Sequence, residues 1–361
     1  MPARTQQQIM QAWKAKEPCL VSVICTTYNH ELYIREAIDS FLMQETNFPF
    51  EIIIHDDAST DNTANIVREY EAQYPSIIKT ICQSKNRYSK GGFKPPLYTA
   101  GHAHGKYIAL CEGDDYWIDK RKLQLQIAAM REHPDVDFSF HSAYNLRKGV
   151  RDKNPVCDYG YDQILYPDAI LSCLTYFAPT ASYVVRREII DNLPDWVIDV
   201  APYGDFFIEM YGARRGGALY INKPMAVYRT EVPNSWSFTM RDRRSIAFLK
   251  KSEKMLASLQ LLRNDFLEYS EHLKKKKARY LHDIAVFHLQ AGNDVIYKKY
   301  IEDSVMQYRF LSKEQGMYYK FRSVPYLLRG RLKIYRLARK SKSLMKSIFM
   351  SRRKRQLAVL S

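Results

Sequence analysis

The chain has 361 residues, enough for about two domains at roughly 150 residues each. Hydrophobic residues make up 46% and charged residues 26%, a globular composition that excludes a disordered or collagen-like chain. The formal net charge is +16, but residues 1–240 hold 25 Lys and Arg against 29 Asp and Glu, whereas residues 241–361 hold 30 against 10.

The front two thirds are therefore mildly acidic, and the last third carries the whole positive excess. Taken alone, that excess points to nucleic acid or a membrane surface. The N-terminal residues lack the apolar core of a signal peptide. The longest uncharged run, residues 169–185, contains Pro179 and several Ser and Thr, which argues against a spanning helix. A cytosolic protein is expected. The six cysteines form no C-x-x-C pair, so neither a zinc site nor a redox motif is indicated. Cys25 and Cys111 lie in apolar runs and read as buried free thiols.

In chain order, residues 20–27 form a short apolar, β-branched run, as expected for a strand buried on both faces. Residues 31–44 carry apolar side chains at helical spacing: Leu32, Ile34, Ala37, Ile38, Phe41 and Leu42. A second strand is predicted at 50–55, then a polar turn, a helix at 64–74 and a third strand at 77–82. Residues 106–111 give a fourth strand, and 119–132 a helix that ends before Pro134. Strands alternating with helices imply a mostly parallel sheet covered on both faces, an α/β architecture. Beyond it, strands are expected at 136–141, 182–185, 218–222 and 225–230, with a helix at 205–214. Residues 241–361 read as helical and Lys/Arg-rich, with a hinge near Pro233. The resulting division is an extension (1–17), a first half-domain (18–135), a second (136–240) and the basic end (241–361).

Two acidic pairs close two of these strands. Asp56-Asp57 follows the second, and Asp114-Asp115 follows the fourth after Glu112-Gly113. Adjacent carboxylates repel, so one pKa should rise unless a cation, a basic neighbour or a ligand hydroxyl relieves them. Hard oxygen donors suit Mg2+ or Mn2+, and magnesium is commonly held by one or two carboxylates plus substrate phosphates. In an open α/β sheet the carboxyl ends of the strands form the ligand-binding edge. No G-x-G-x-x-G follows the first strand and no G-x-x-x-x-G-K-[ST] occurs, against a dinucleotide enzyme or a P-loop ATPase.

Three motifs carry a resemblance: Val21-Ser22-Val23-Ile24-Cys25-Thr26-Thr27-Tyr28-Asn29, Glu51-Ile52-Ile53-Ile54-His55-Asp56-Asp57-Ala58-Ser59, and Gly105-Lys106-Tyr107-Ile108-Ala109-Leu110-Cys111-Glu112-Gly113-Asp114-Asp115-Tyr116-Trp117. In order and spacing they resemble family 2 glycosyltransferases of the bacterial surface-polysaccharide type. The resemblance is strong over residues 18–135 and weaker to 240. It implies a GT-A fold, a Rossmann-like, mostly parallel sheet with helices on both faces, and inverting transfer from a nucleotide-diphosphate sugar. The implied donor is UDP-linked, and the acceptor is a hydroxyl of a glycan or lipid-linked substrate. By the same resemblance Thr26 and Tyr28 lie beside the nucleotide, Asp57 and the neighbouring Asp56 contact base or ribose, and Asp114 faces ribose or sugar. Asp115 ligates the metal, and residues 86–92 form a variable loop near the donor. Tyr203-Gly204-Asp205 resembles the catalytic-base segment, making Asp205 the base; Asp205 as a helix cap, with Asp199 or Glu209 as base, is the alternative. Residues 225–237 resemble a segment that often reads Tyr-Arg-x-His, with Glu231 where His is common; Glu231 could supply an oxygen ligand.

Trp117 and Trp236 are candidates for stacking on a sugar face, against ordinary core packing. His102 and His104 have no evident third metal ligand and read as solvated or capping. After Glu314 there is no acidic residue, while 14 Lys or Arg follow. Residues 327–349 alternate basic and apolar side chains near helical spacing, as in a helix lying on an anionic membrane surface. No nucleic-acid-binding motif accompanies that charge, so a nucleic-acid partner is not expected. Two rivals differ in kind. A nucleotidyltransferase would want a Gly-rich, basic triphosphate loop after the first strand, and none is present. A non-catalytic adaptor would not need the intact acids.

Overall fold

The computed structural model describes residues 4–14, 17–173, 176–232 and 242–332. The expected hinge near Pro233, Trp236 and the basic segment from residue 333 onward lie outside the described residues. The chain divides into two compact units, residues 1–241 with 257–272, and residues 242–256 with 273–361.

The first unit is built on one sheet. After a short helix α1 (Gln6–Met10), strand β1 (Val21–Thr27) runs parallel to β2 (Phe50–Asp56) in a register from Val21 opposite Phe50 to Thr27 opposite Asp56. β2 pairs in parallel with β3 (Ile78–Cys82), and β1 pairs in parallel with β4 (Tyr107–Leu110). The sheet continues through β5 (Tyr116–Trp117), β6 (Phe138–Arg147), β7 (Val150–Arg151), β8 (Gln163–Leu165), β9 (Val184–Arg186) and β10 (Ala218–Thr230). Its order is β3-β2-β1-β4-β9-β6-β10-β5, with β7 on β6 and β8 on β10. Neither β1, β2 nor β4 offers an exposed face to water, which explains their unbroken Val/Ile-rich sequences.

Helices α2 (Ile34–Leu42), α3 (Thr63–Gln73), α4 (Pro95–Ala100) and α5 (Lys122–Glu132) connect these strands. In α2 the spacing Ile34, Ala37, Ile38, Phe41, Leu42 puts one stripe against the sheet, and all five are buried. They share a core with Val23, Ile52, Ile54, Val67, Ala109 and Leu123. Burying each of the Val, Leu, Ile and Phe side chains among these contributes about 1.5–3 kcal/mol. Helices α6 (Pro167–Ser172), α7 (Arg187–Asp191), α8 (Asp195–Asp199) and α9 (Asp205–Gly212) complete the second half of this unit.

Two expectations change. The strand expected at 136–141 extends to Arg147. The two strands expected at 218–222 and 225–230 are one strand, β10, whose register against β6 shifts between Ile221 and Ala226. Pro224 falls in that gap and has no N–H to offer the ladder, so the sequence reads as a break where the chain makes only an irregularity.

In the second unit, helices Asp294–Gln307 and Lys313–Lys320 pack with the later part of Ser270–Ala291 around Ala285, Leu289, Tyr297, Ile301, Tyr318 and Leu328. Gln315 Nε2 donates to Ser304 Oγ and to the Tyr308 carbonyl, each at 2.9 Å, so its buried amide is satisfied. No described helix is long and apolar enough to cross a membrane.

One buried charge stands out in the first unit. The Lys122 ammonium is fully buried, donates to Gln126 Oε1 at 2.7 Å and lies 4.3 Å from the Trp117 ring centroid. Burial lowers its pKa to about 7. Between that value and the unfolded value near 10.4, the unfolded chain binds the extra proton, so this group's contribution to stability rises with pH. A Lys122→Met protein lacks that slope. Its stability relative to the parent should therefore fall by about 1.4 kcal/mol per pH unit between pH 7 and 10. Denaturant titrations at pH 7 and 9.5 check this; a pH-independent difference between the two proteins would contradict it.

Candidate active site

The sheet order 3-2-1-4 places β1 between two neighbours approached from opposite directions, which opens a crevice beyond the carboxyl ends of the strands. The three motifs meet there. Thr26 is in the last turn of β1, paired with His55 of β2, and Tyr28 follows, 41% exposed. Asn29 adopts a left-handed backbone (φ 55°) and its Oδ1 accepts from the Thr60 N–H at 2.8 Å, tying the β1 loop to the β2 loop.

Asp56 and Asp57 are both buried, and their burial is met by backbone donors. Asp56 Oδ2 accepts from the Ser59 N–H at 3.0 Å, and its Oδ1 from the Ser59 hydroxyl. Asp57 accepts from the Arg87 and Tyr88 N–H groups, each at 2.9 Å, one on each carboxylate oxygen. Asn86 Nδ2 donates to the Asp57 carbonyl at 3.1 Å. Asp57 thus anchors the 86–92 loop at the crevice; each oxygen keeps a second lone pair for a ligand donor. The Arg87 guanidinium lies over Phe93 (4.0 Å) and Tyr98 (4.8 Å), fixing the loop's base.

The turn after β4 holds Glu112, Asp114 and Asp115. Gly113 is required by space: a Cβ there would lie 2.8 Å from Thr27 Oγ1 and 2.9 Å from Ile34 Cδ1. Asp115 is 1% exposed; its Oδ1 accepts from the Arg229 N–H at 2.7 Å, while Oδ2 is buried without a partner among the described residues. Glu112 Oε2 is likewise buried and unpartnered. Asp114 is partly exposed, with His30 Nε2 3.9 Å from its Oδ2. Burial first, then the Asp205 and Asp114 charges, push the Glu112 carboxyl up to about 8. Burial and the charges of Asp114 and Glu112 likewise hold Asp115 well above the usual carboxylate range.

Asp205 is the first residue of α9, with Gly204 at the N-cap position, so it sits in the first turn and is not the cap. Its charge reaches both Glu112 and Tyr88, which places it beside the acidic turn and the 86–92 loop. Asp199 ends α8. Glu209 is buried and accepts from the Tyr183 hydroxyl. Glu231 follows β10 with a left-handed backbone (φ 69°).

Trp117 is a correction. It is 2% exposed, donates through Nε1 to the Ala181 carbonyl at 2.8 Å and meets Phe41 edge-on, so no ring face is available to a sugar. The physical reason is β-strand alternation: Tyr116 and Trp117 are successive residues of β5 and point to opposite faces. His104 donates from its backbone to Glu51 Oε1 at 2.7 Å, and the His102 ring lies 3.1 Å from the Tyr98 carbonyl, so the two have separate structural partners. Arg229 falls at the Arg of the Tyr-Arg-x-His-like segment, but the sequence reading gave a role only to Glu231 there; its contacts with the acidic turn come from the fold.

The donor set fits a divalent cation. The oxygens are hard, two of them lack a protein partner, and among the described residues no group of three His, Cys, Asp or Glu could hold a metal unaided. A cation sharing one or two carboxylates with a ligand's phosphates suits that arrangement.

Residues 22–192, a little under half of the chain, match the family model for Glycosyl transferase family 2. The Mycobacterium tuberculosis protein named Uncharacterized protein Rv1520 is 37% identical over 227 residues, 62% of this chain and 62% of its own length. The Escherichia coli UDP-Glc:alpha-D-GlcNAc-diphosphoundecaprenol beta-1,3-glucosyltransferase WfaP is 37% identical over 146 residues, 39% of this chain and 54% of its own. The chain thus spans under two thirds of the length of these relatives. Among solved structures, S. aureus TarS 1-349 superposes with a TM-score of 0.55 at 19% identity, covering 86% of this chain and 87% of that one. That likeness is one of fold, the GT-A arrangement expected from the sequence.

In metal-free protein, the raised Glu112 pKa means that the folded state holds a proton the unfolded chain releases above about 4.5, so this group's stabilisation is lost as pH rises through about 8. Glu112→Gln should therefore leave the melting temperature nearly unchanged at pH 5 and raise it relative to the parent at pH 8.5. Scanning calorimetry with chelator at both pH values is the check; equal shifts at the two would refute it.

Proposed function

We propose that the protein is an inverting glycosyltransferase that moves a sugar from a UDP-linked donor to a hydroxyl of a glycan or lipid-linked acceptor. The observation that carries this reading is the meeting of Asp56, Asp57, Glu112, Asp114, Asp115 and Asp205 at one edge of a family 2 domain. The activity for which the E. coli relative is named, with its UDP-glucose donor and diphosphoundecaprenol acceptor, supports the choice of donor and acceptor classes.

In this reading Thr26, Tyr28, Asp56 and Asp57 receive the nucleotide, and Asp114 receives its ribose or the sugar. Asp115, with Glu231 as a further oxygen donor, would hold Mg2+ or Mn2+. The ion's chemistry is that of a Lewis acid, offsetting charge on the departing diphosphate. Asp205 accepts the acceptor hydroxyl's proton as that oxygen attacks the anomeric carbon from the face opposite the leaving group. A single displacement requires no enzyme nucleophile.

Asp205→Asn should lower the transfer rate at least 100-fold while leaving affinity for the donor within about threefold, since a general base contributes roughly 10²–10⁴. A panel of nucleotide sugars with Mn2+, followed by donor hydrolysis and transfer, identifies the donor; loss of binding with single-turnover chemistry intact would reject the base assignment.

For the basic end we propose an anionic membrane surface as partner, at the inner face of the plasma membrane, where a lipid-linked acceptor would be met. Each Lys or Arg near such a surface contributes about 1 kcal/mol. Replacing Arg336, Arg339, Lys340 and Lys346 by Gln should cut co-sedimentation with phosphatidylserine vesicles at least tenfold and leave the low binding to neutral vesicles unaltered. Equal sedimentation of the two proteins with anionic vesicles would end the idea.

A further inference from the structure

Arg229 lies in β10, beyond the family-matched segment 22–192, yet it touches most of what surrounds the acidic turn. Its backbone N–H donates to Asp115 Oδ1 at 2.7 Å. Its guanidinium donates through Nη1 to the Asp114 carbonyl and through Nη2 to Glu36 Oε2 on α2. The same guanidinium sits 4.6 Å from the Tyr116 ring centroid and 5.0 Å from that of Tyr33. Only 9% of its side chain is exposed.

We propose that Arg229 is a positioning residue for the acidic turn, setting where the Asp114 and Asp115 carboxylates face the crevice; the role in transfer rests on the glycosyltransferase reading. Asp114 and Asp115 belong to a turn between a four-residue strand and a two-residue strand, which the sheet ladder alone holds weakly. Arg229 joins that turn to two other elements, the long strand β10 that carries it and helix α2 through Glu36. It grips the turn by main-chain groups: its own N–H and the Asp114 carbonyl. The carboxylate oxygens not used in this way stay available to a ligand.

The site demands arginine in particular. A planar fork can donate to two acceptors while stacking between two rings; an ammonium is a point donor on a flexible stem and cannot do both. Arg229→Lys is therefore not conservative here, although the charge is kept. Glu36, about half exposed and outside the acidic cluster, is the outer anchor of the fork, and its loss should loosen the turn less.

Hydrogen exchange on the full-length, ligand-free protein tests the positioning without any donor. In Arg229→Lys the amides of residues 113–117 should exchange about tenfold faster than in the parent, and in Glu36→Gln about threefold faster, with β1 and β2 amides unchanged. The second readout is the Mn2+ concentration giving half-maximal binding of UDP, expected to rise about tenfold in Arg229→Lys. Unchanged exchange at 113–117 in folded Arg229→Lys would overturn the proposal, as would a uniform increase across β1, β2 and the turn, which marks general destabilisation. Should Arg229→Lys fail to fold, Glu36→Gln decides by the same criterion. A parent protein that transfers no sugar, with the exchange pattern as expected, would remove the glycosyltransferase reading and leave the hold of Arg229 on the turn in place.

Discussion

The rest of the first unit is arranged around one electrostatic constraint: several carboxylates are buried together where parallel strands end. Taking such groups out of water costs several kcal/mol each unless they are paired or hydrogen-bonded. The fold meets the cost unevenly. Asp57 has two backbone N–H donors and Asp56 has the Ser59 N–H and hydroxyl, so these two are settled by their own loops. Asp115 has one backbone donor, and Glu112 Oε2 and Asp115 Oδ2 have none among the described residues. The unsettled oxygens are concentrated after β4, and there a positive ligand has the most to gain.

That gradient organises the neighbourhood. Gly113 lets the turn approach Thr27 and Ile34, bringing the unsatisfied acids down against β1 and α2. Asp205 enters from the start of α9, close enough for its charge to oppose ionisation of Glu112. A cation brought in with a diphosphate would relieve both repulsions at once. The acids therefore work against each other in the free protein and together around a ligand, which is the condition for charge to be stabilised in a reaction and not merely in folding.

How far this could be read from sequence depended on whether the signal was local. β1, β2 and β4 are short, mostly apolar runs centred on Val23-Ile24, Ile52-Ile53-Ile54 and Ile108-Ala109-Leu110 because both faces are covered, and such runs are visible without any neighbour. The acidic pairs are visible because they sit one turn beyond those runs. What was hidden depends on partners distant in the chain. Arg229 contacts Asp115, Asp114 and Glu36 from more than a hundred residues away, so the segment that contains it could be recognised in the sequence but its partners could not. Trp117 misled for a related reason: adjacency to Asp115 says nothing about direction, and in a strand the next residue faces the other way. Pro224 hid the continuity of β10 by looking like a terminator.

The asymmetry of charge takes on a different meaning against this site. Within the first unit, backbone amides of Ser59, Arg87, Tyr88 and Arg229 meet Asp56, Asp57 and Asp115, and the His30 ring lies beside Asp114, while Glu112 Oε2 and Asp115 Oδ2 keep no partner among the described residues. Charges separated through water by more than about 8 Å are largely screened at physiological salt. Screening leaves local pairs as the ones that count, and among the described residues of 242–332 Arg243 faces Asp283, Arg322 faces Glu302 and Arg329 faces Asp294. A run of 14 basic residues with no acid after Glu314 repels itself, a cost that an external anionic surface would reverse. The net charge of +16 is therefore the sum of −4 over residues 1–240, whose acids gather at the ends of the parallel strands, and +20 over residues 241–361.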